Sequence, residues 1–218
     1  MSRIVAAVLV AAAVLLPSAA HAERWTGADP RKDVAGFWFS PDPAPCGSHA
    51  DVDATGDKND DLVRLTARHA DRAVWLKGRF RDLEEESEQW VTFRLRTPAA
   101  RWELDVNRFR TDAGKVRVMG FIGRLPKNAP RDDCGTTTFA YTVVGEGCRV
   151  YPEVDTDADT VRAHVARRCL GKPRWIEAGV YANGWVEPTD PEDPSSTVFS
   201  DSWDAFGSYG PRLYRGAS

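Results

Sequence analysis

The densest run of hard oxygen donors in this 218-residue chain lies between Asp51 and Asp61, where Asp51, Asp53, Asp57, Asp60 and Asp61 are interspersed with Ala, Thr and Gly. Carboxylates at that density suit Ca²⁺, which takes about 6–8 oxygens at about 2.3–2.6 Å, and calcium is the one cofactor these residue types suggest. The spacing is not that of an EF-hand, because position five would be Thr55 and position twelve Leu62 in place of a bidentate Glu. The competing reading is a solvated Asp/Gly turn ahead of a strand. Asp155, Asp157 and Asp159 pose the same choice with fewer donors.

Aromatic rings are the second chemical resource. The chain has 8 tryptophans, and two of them, Trp75 and Trp90, alternate with polar and basic residues, where an indole could stack on a sugar or a guanidinium. Arg64, Lys77 and Arg79 form a basic cluster on the face expected for Trp75 and would attract an anionic polymer. Glu84, Glu85, Glu86 and Glu88 follow closely enough to turn that cluster into a salt-bridged surface.

Catalytic constellations are sparse. Beyond the leader, imidazoles come only from His49, His69 and His164, and neither His-Glu-x-x-His nor Gly-x-Ser-x-Gly occurs. Ser48 and His49 are neighbours, but adjacency along a chain does not aim a base at its nucleophile. Glu103 and Asp105, two apart on one strand face, suit the carboxylate spacing of a glycosidase. Arg94 opposite Glu103 argues instead for an ion pair.

These groups must be positioned by strands, since period-two alternation dominates from Leu62 to Tyr181. If residues 97–100 form a turn, Leu95 meets Trp102, Phe93 meets Leu104 and Val91 meets Val106 on one face. Arg94 then meets Glu103 and Thr92 meets Asp105 on the other. A second hairpin over residues 62–80, turning at residues 69–72, pairs Leu65 with Leu76 and Ala67 with Val74 inward. Further strands are expected over residues 115–121, 137–144, 149–151, 160–167, 174–182 and 196–200, and the acidic, Pro-rich stretch 187–196 reads as a loop. The sum is an all-β chain, a two-sheet antiparallel sandwich of jelly-roll type, with a closed barrel as the rival.

Residues 1–22 read as a secretory signal peptide: one Arg, an apolar run, and Ala-His-Ala before Glu23. The run is too short to span a bilayer, which needs roughly 20 apolar residues, so no stable membrane insertion is expected. An N-terminal extended segment, residues 23–45, then leads into a single domain over residues 46–218. A net charge of −3 lacks the positive field of a nucleic-acid binder. Four cysteines in an exported chain, none in a Cys-x-x-Cys pair, favour two disulfides over a metal site. Cys148 with Cys169 closes a strand-turn-strand unit and leaves Cys46 with Cys134; Cys134 with Cys148 is the rival pairing.

Asp51-x-Asp53-x-x-Gly56-Asp57-x-x-x-Asp61-Leu62, Val74-Trp75-Leu76, Cys169-Leu170-Gly171-x-Pro173-x-Trp175 and Gly210-Pro-Arg-Leu-Tyr-Arg-Gly together resemble a group of uncharacterised secreted proteins of actinobacteria over roughly residues 46–215. The Asp-rich lead-in to a β meander is also similar to extracellular modules of the DOMON and family-9 carbohydrate-binding type. The second likeness implies a sandwich that binds glycans, and neither likeness carries a ligand residue onto this chain. The reading is therefore a secreted noncatalytic module with an extracellular glycan or protein partner, most directly a polysaccharide or cell-envelope component. The alternatives are a secreted hydrolase of unrecognised type and a structural or protein-interaction module.

Overall fold

Alternation over β6 (Gln89–Arg96) and β7 (Arg101–Arg110) sends every second side chain to one face, and the two strands pair in the expected register. Val91 faces Val106, Phe93 faces Leu104 and Leu95 faces Trp102, while Arg94 faces Glu103 and Thr92 faces Asp105. The first set is buried in the core. The computed structural model describes residues 23–42, 46–85, 87–127, 142–143, 147–186 and 194–216. Residues 1–22, Cys134, most of the strand expected over 137–144 and most of the loop at 187–196 lie outside them.

Two antiparallel sheets pack face to face. The smaller has the order β1 (Glu23–Ala28), β4 (Leu62–His69), β5 (Ala73–Phe80), β11 (Thr160–Ala166), β10 (Val150–Asp155). The larger runs β3 (Ser48–Val52), β2 (Ala35–Ser40), β13 (Ser196–Ser202), β12 (Trp175–Val186), β6, β7, β8 (Val116–Leu125), β9 (Thr142–Val143), with β14 (Leu213–Tyr214) pairing the start of β12. Between them lie Leu65, Ala67, Val74, Leu76, Val161, Ala163 and Val165 from one side and Val91, Phe93, Leu95, Leu104, Ala178, Val180 and Ala182 from the other. The chain passes repeatedly from sheet to sheet, so each half of the core is built from residues far apart in sequence. The segment expected as a lead-in supplies a strand to each sheet: β1 pairs β4 and β2 pairs β13.

The β4–β5 register differs by two residues from the sequence expectation. Leu65 faces Gly78, Ala67 faces Leu76 and His69 faces Val74. His69 is the last, fully buried residue of β4, its ring 2.9 Å from the Leu213 carbonyl, so the turn begins later and closes through Ala70 N–H to Ala73 O at 3.0 Å. Asp71 in this turn is held by Arg167, which donates to its carbonyl at 2.9 Å, and by Arg215 at 3.3 Å. Those partners are distant in sequence. An even shift keeps every side chain on its face, and Leu65, Ala67, Val74 and Leu76 are all buried.

Cys148 and Cys169 form a disulfide across 21 residues, closing the base of the β10–β11 hairpin; in the loop-entropy description such a closure contributes about 3 kcal/mol. Cys46 is disulfide-bonded, and Cys134, the partner expected for it, lies outside the described residues. Cys169 sits in a single 3₁₀ turn, Arg167–Leu170, capped by Gly171 at φ 77°, a left-handed conformation that favours glycine. Among the described residues no helix is long and apolar enough to cross a membrane.

The C-terminal segment runs along the edge of β12 that β13 also pairs, where the Trp203 backbone N–H bonds Val180 O at 3.1 Å and Gly210 N–H bonds Ala178 O at 2.8 Å. A Cβ at Gly179 would stand 2.3 Å from the Ser208 carbonyl oxygen. Gly179→Ala is expected to lose about 1–3 kcal/mol through that backbone clash, read as a lowered urea midpoint.

Candidate functional site

The outer face of the five-stranded sheet carries the row that β-pairing builds from one residue per strand. Arg24 on β1 faces Arg68 on β4, Arg68 faces Trp75 on β5, Trp75 faces His164 on β11, and His164 faces Tyr151 on β10. The three rings stack: Trp75 on His164 with centroids 4.1 Å apart and planes at 23°, His164 on Tyr151 at 4.6 Å and 9°. Trp75 is 46% and Tyr151 53% exposed, a large apolar surface left in solvent. Burial between its neighbours lowers the pKa of His164, which favours the neutral ring.

A second row lies beside the first: Thr26, Thr66, Lys77, Arg162 and Glu153. Arg64 and Arg79 face one another in a third. Arg162 is ion-paired with Glu153 and, at 3.9 Å, with Asp155. Among the described residues Arg24, Arg64, Arg68, Lys77 and Arg79 make no salt bridge. Burial first, then the fields of Arg162, Arg79 and Arg24, pull the Lys77 ammonium below its ordinary pKa. Between the rows is a shallow cleft of about 210 Å³ lined by Trp75, Lys77, Tyr151, Arg68, Arg24 and His164 among others.

Among the described residues, Glu84, Glu85 and Glu88 of the acidic run after β5 make no salt bridge to this face. Glu84 lines a cleft with residues 53–60 and passes its carbonyl to Arg108, and Glu88 accepts the backbone N–H of Arg110 at 3.0 Å. Trp75, Arg64, Lys77 and Arg79 are thus brought together as the sequence suggested. Trp90 is not among them: it lies on the outer face of the nine-stranded sheet, 5.7 Å from the Trp185 ring. Tyr151 and His164 carry no local sequence signal for this face, because only the β11–β5 and β10–β11 pairings bring them to Trp75.

Within residues 51–61, Asp53 and Asp57 are engaged by their own turns, whereas Asp61 meets partners distant in sequence. Asp51 is an exposed β3 residue paired with Phe37. Asp53 accepts the amide and hydroxyl of Thr55 at 3.0 and 2.8 Å, bonds that lower its pKa, and Asp57 accepts the Asp60 amide at 3.1 Å. Asp60 and Asp61 are buried. Burial first, and the Asp57 charge second, push Asp60 up to about 8. Asp61 is ion-paired with Arg81 at 2.8 Å. The loop walls a cleft of about 700 Å³ with Glu84, Glu88, Trp185 and Phe199.

Among the described residues the imidazoles lie apart from one another. His49 is exposed on β3, where successive side chains point to opposite faces, so Ser48 and His49 diverge; His69 is in the core and His164 in the stack. Arg94 and Glu103 form the expected ion pair at 3.5 Å, and Thr92 donates to Asp105 at 2.6 Å. The basic face thus sets stacked, solvent-exposed rings in line with cationic side chains. Comparison of the chain with family models, curated proteins and solved structures finds no match.

Proposed function

We propose that this chain is a secreted, noncatalytic binding module whose five-stranded face takes up an extracellular polysaccharide or cell-envelope polymer bearing negative charge. The observation that carries the reading is the exposed Trp75, His164 and Tyr151 stack set in line with Arg68 and Arg24. Sugar rings present apolar C–H faces that lie against such rings, and uronate, sulfate or phosphodiester groups on the same polymer meet Lys77 and the unpaired guanidiniums. The apolar run of residues 4–16 and the Ala-His-Ala before Glu23 support export.

The test is retention of the domain on a panel of glycans and cell-wall polymers, with tryptophan fluorescence read in parallel. Retention on acidic polymers that weakens with salt, with Trp75→Ala reducing affinity at least about tenfold, is the expected result. Absence of retention on every polymer overturns the reading and moves weight to a protein partner. The second reading, a hydrolase, is favoured by one observation: Asp60, raised to about 8, borders the acid-lined cleft at residues 53–60. Polymer breakdown by the wild type that Asp60→Asn abolishes would establish it instead.

A further inference from the structure

The end of β1 and the end of β13 bring together a carboxylate cluster separate from the basic face. Asp29 follows β1, Asp33 precedes β2 and Asp201 lies on β13, and one ligating oxygen of each sits within 4.8 Å of the others. Asp29 is 8% and Asp201 5% exposed. Oδ1 of Asp29 accepts the Asp204 amide at 2.6 Å, whereas Oδ2, shut off from solvent, has no hydrogen-bond partner. Asp201 is aimed by two amides, accepting Leu62 N–H at 2.7 Å and Ser202 N–H at 2.7 Å. Among the described residues none of the three makes a salt bridge. The nearby Asp61 is already ion-paired with Arg81. A buried carboxylate oxygen with neither hydrogen bond nor cation is costly to keep, and a divalent ion satisfies it.

We infer that Asp29, Asp33 and Asp201 form a binding site for a divalent cation of the hard, oxygen-preferring class, with Ca²⁺ favoured over Mg²⁺. Three carboxylates from three separate segments make an irregular set. Ca²⁺ tolerates such geometry and completes its shell with water, whereas Mg²⁺ demands near-ideal octahedral placement. A cleft of about 320 Å³ bordered by Asp33, Asp201, Ser202 and Asp204 opens onto the cluster, giving the ion an entry path and its waters room. Bound there, the ion ties β1 of the five-stranded sheet to β13 of the nine-stranded one, where the chain first passes between sheets. The site is thus a cross-sheet staple, independent of the polymer-binding face.

Trp203, whose indole N–H bonds the Ala28 carbonyl at 3.0 Å, stands beside the cluster and serves as a built-in antenna for Tb³⁺. In chelator-treated protein, Tb³⁺ titration should give saturable sensitised luminescence, displaced by Ca²⁺ at concentrations at least about tenfold below those of Mg²⁺. Ca²⁺ should also raise the thermal midpoint. Asp33 is exposed, so Asp33→Asn is expected to keep the wild-type midpoint in chelator while losing at least about tenfold in Ca²⁺ affinity; Asp53→Asn, in the other acidic loop, should bind as the wild type does. No saturable luminescence in the wild type, or equal binding by Asp33→Asn, overturns the assignment, as does loss of binding in Asp53→Asn alone.

Discussion

Arg81→Met is expected to destabilise the fold by about 3–5 kcal/mol near pH 8, the cost of removing one partner from a buried ion pair. Asp61 is fully buried; its Oδ2 accepts the Lys32 amide at 2.8 Å and lies 2.8 Å from Arg81 Nη1, while its Oδ1 has no other hydrogen-bond partner. The guanidinium also donates to the carbonyl of Asp57 and to Gly56 O at 3.3 Å, so the same side chain braces the loop leading into β4. Methionine fills the space but leaves the carboxylate uncompensated. Burial already raises the Asp61 pKa, so the variant escapes part of its cost by protonating Asp61, and the defect shrinks as pH falls. Urea denaturation across pH measures it. Asp61→Asn in the Arg81→Met background should recover a good part of the loss, and a deficit below about 1 kcal/mol for Arg81→Met alone would remove this pair from the structural core.

The second large effect is a pH dependence carried by Asp60. Burial, followed by the charge of Asp57, holds its carboxyl up to about 8, with hydrogen bonds from Gln89 and Asn59 acting the other way. In the unfolded chain an Asp releases its proton near about 3.9. Between these values the native state holds a proton that the unfolded state lacks, so stability is highest at the acid end and falls as pH rises, levelling off above about 8. The slope is about 1.4 kcal/mol per pH unit, which amounts to about 3 kcal/mol between pH 5 and 7.5. Asp60→Asn keeps the shape beside Gly184, where a Cβ added by substitution would stand 2.1 Å from Asp60 Oδ2, and removes the titration. Its stability should fall less steeply over this window than that of the wild type. Parallel profiles for the two proteins would contradict the assignment.

How much of this was legible in the sequence depended on whether a strand's partner was local. The β6–β7 register could be read because both faces alternate, so only one pairing satisfies Phe93 with Leu104 and Arg94 with Glu103 together. The β4–β5 hairpin kept its faces but shifted by two, since its turn is fixed by Arg167, Arg215 and the carbonyl of Leu213, none of them near it in sequence. β2 and β3 gave no signal: Phe37, Trp38 and Phe39 are consecutive apolar residues, all partly exposed, and β3 is exposed along most of its length.

The candidate site followed the same rule. Trp75, Arg64, Lys77 and Arg79 share a local hairpin and were legible together, whereas His164 and Tyr151 complete the face through strands some ninety and eighty residues away. Trp90 had the same local pattern as Trp75, but nothing local says which sheet a hairpin joins. The acidic loop is dense in carboxylates, yet Asp53 and Asp57 each give an oxygen to a turn amide and Asp61 is paired with Arg81; the cluster of Asp29, Asp33 and Asp201 is scattered over the sequence and only the packing assembles it. The Cys169–Trp175 and Gly210–Gly216 elements prove to be one unit. β14 pairs Trp175 and Ile176, Arg212 stacks on Trp175 at 4.5 Å and pairs with Glu177 at 3.2 Å, and Leu170 and Leu213 enter the core. Their residue types answer to folding.

The proposed binding face is tested most directly by hydroxyl-radical footprinting of the domain, free and saturated with an acidic polymer that retains it, reading each aromatic side chain separately. Polymer should protect Trp75 and Tyr151 while leaving Trp185, Phe121 and Phe206, exposed elsewhere on the molecule, as reactive as before. Protection of Trp185 or Phe121 with Trp75 and Tyr151 unchanged would contradict the assignment and place the ligand on the opposite sheet.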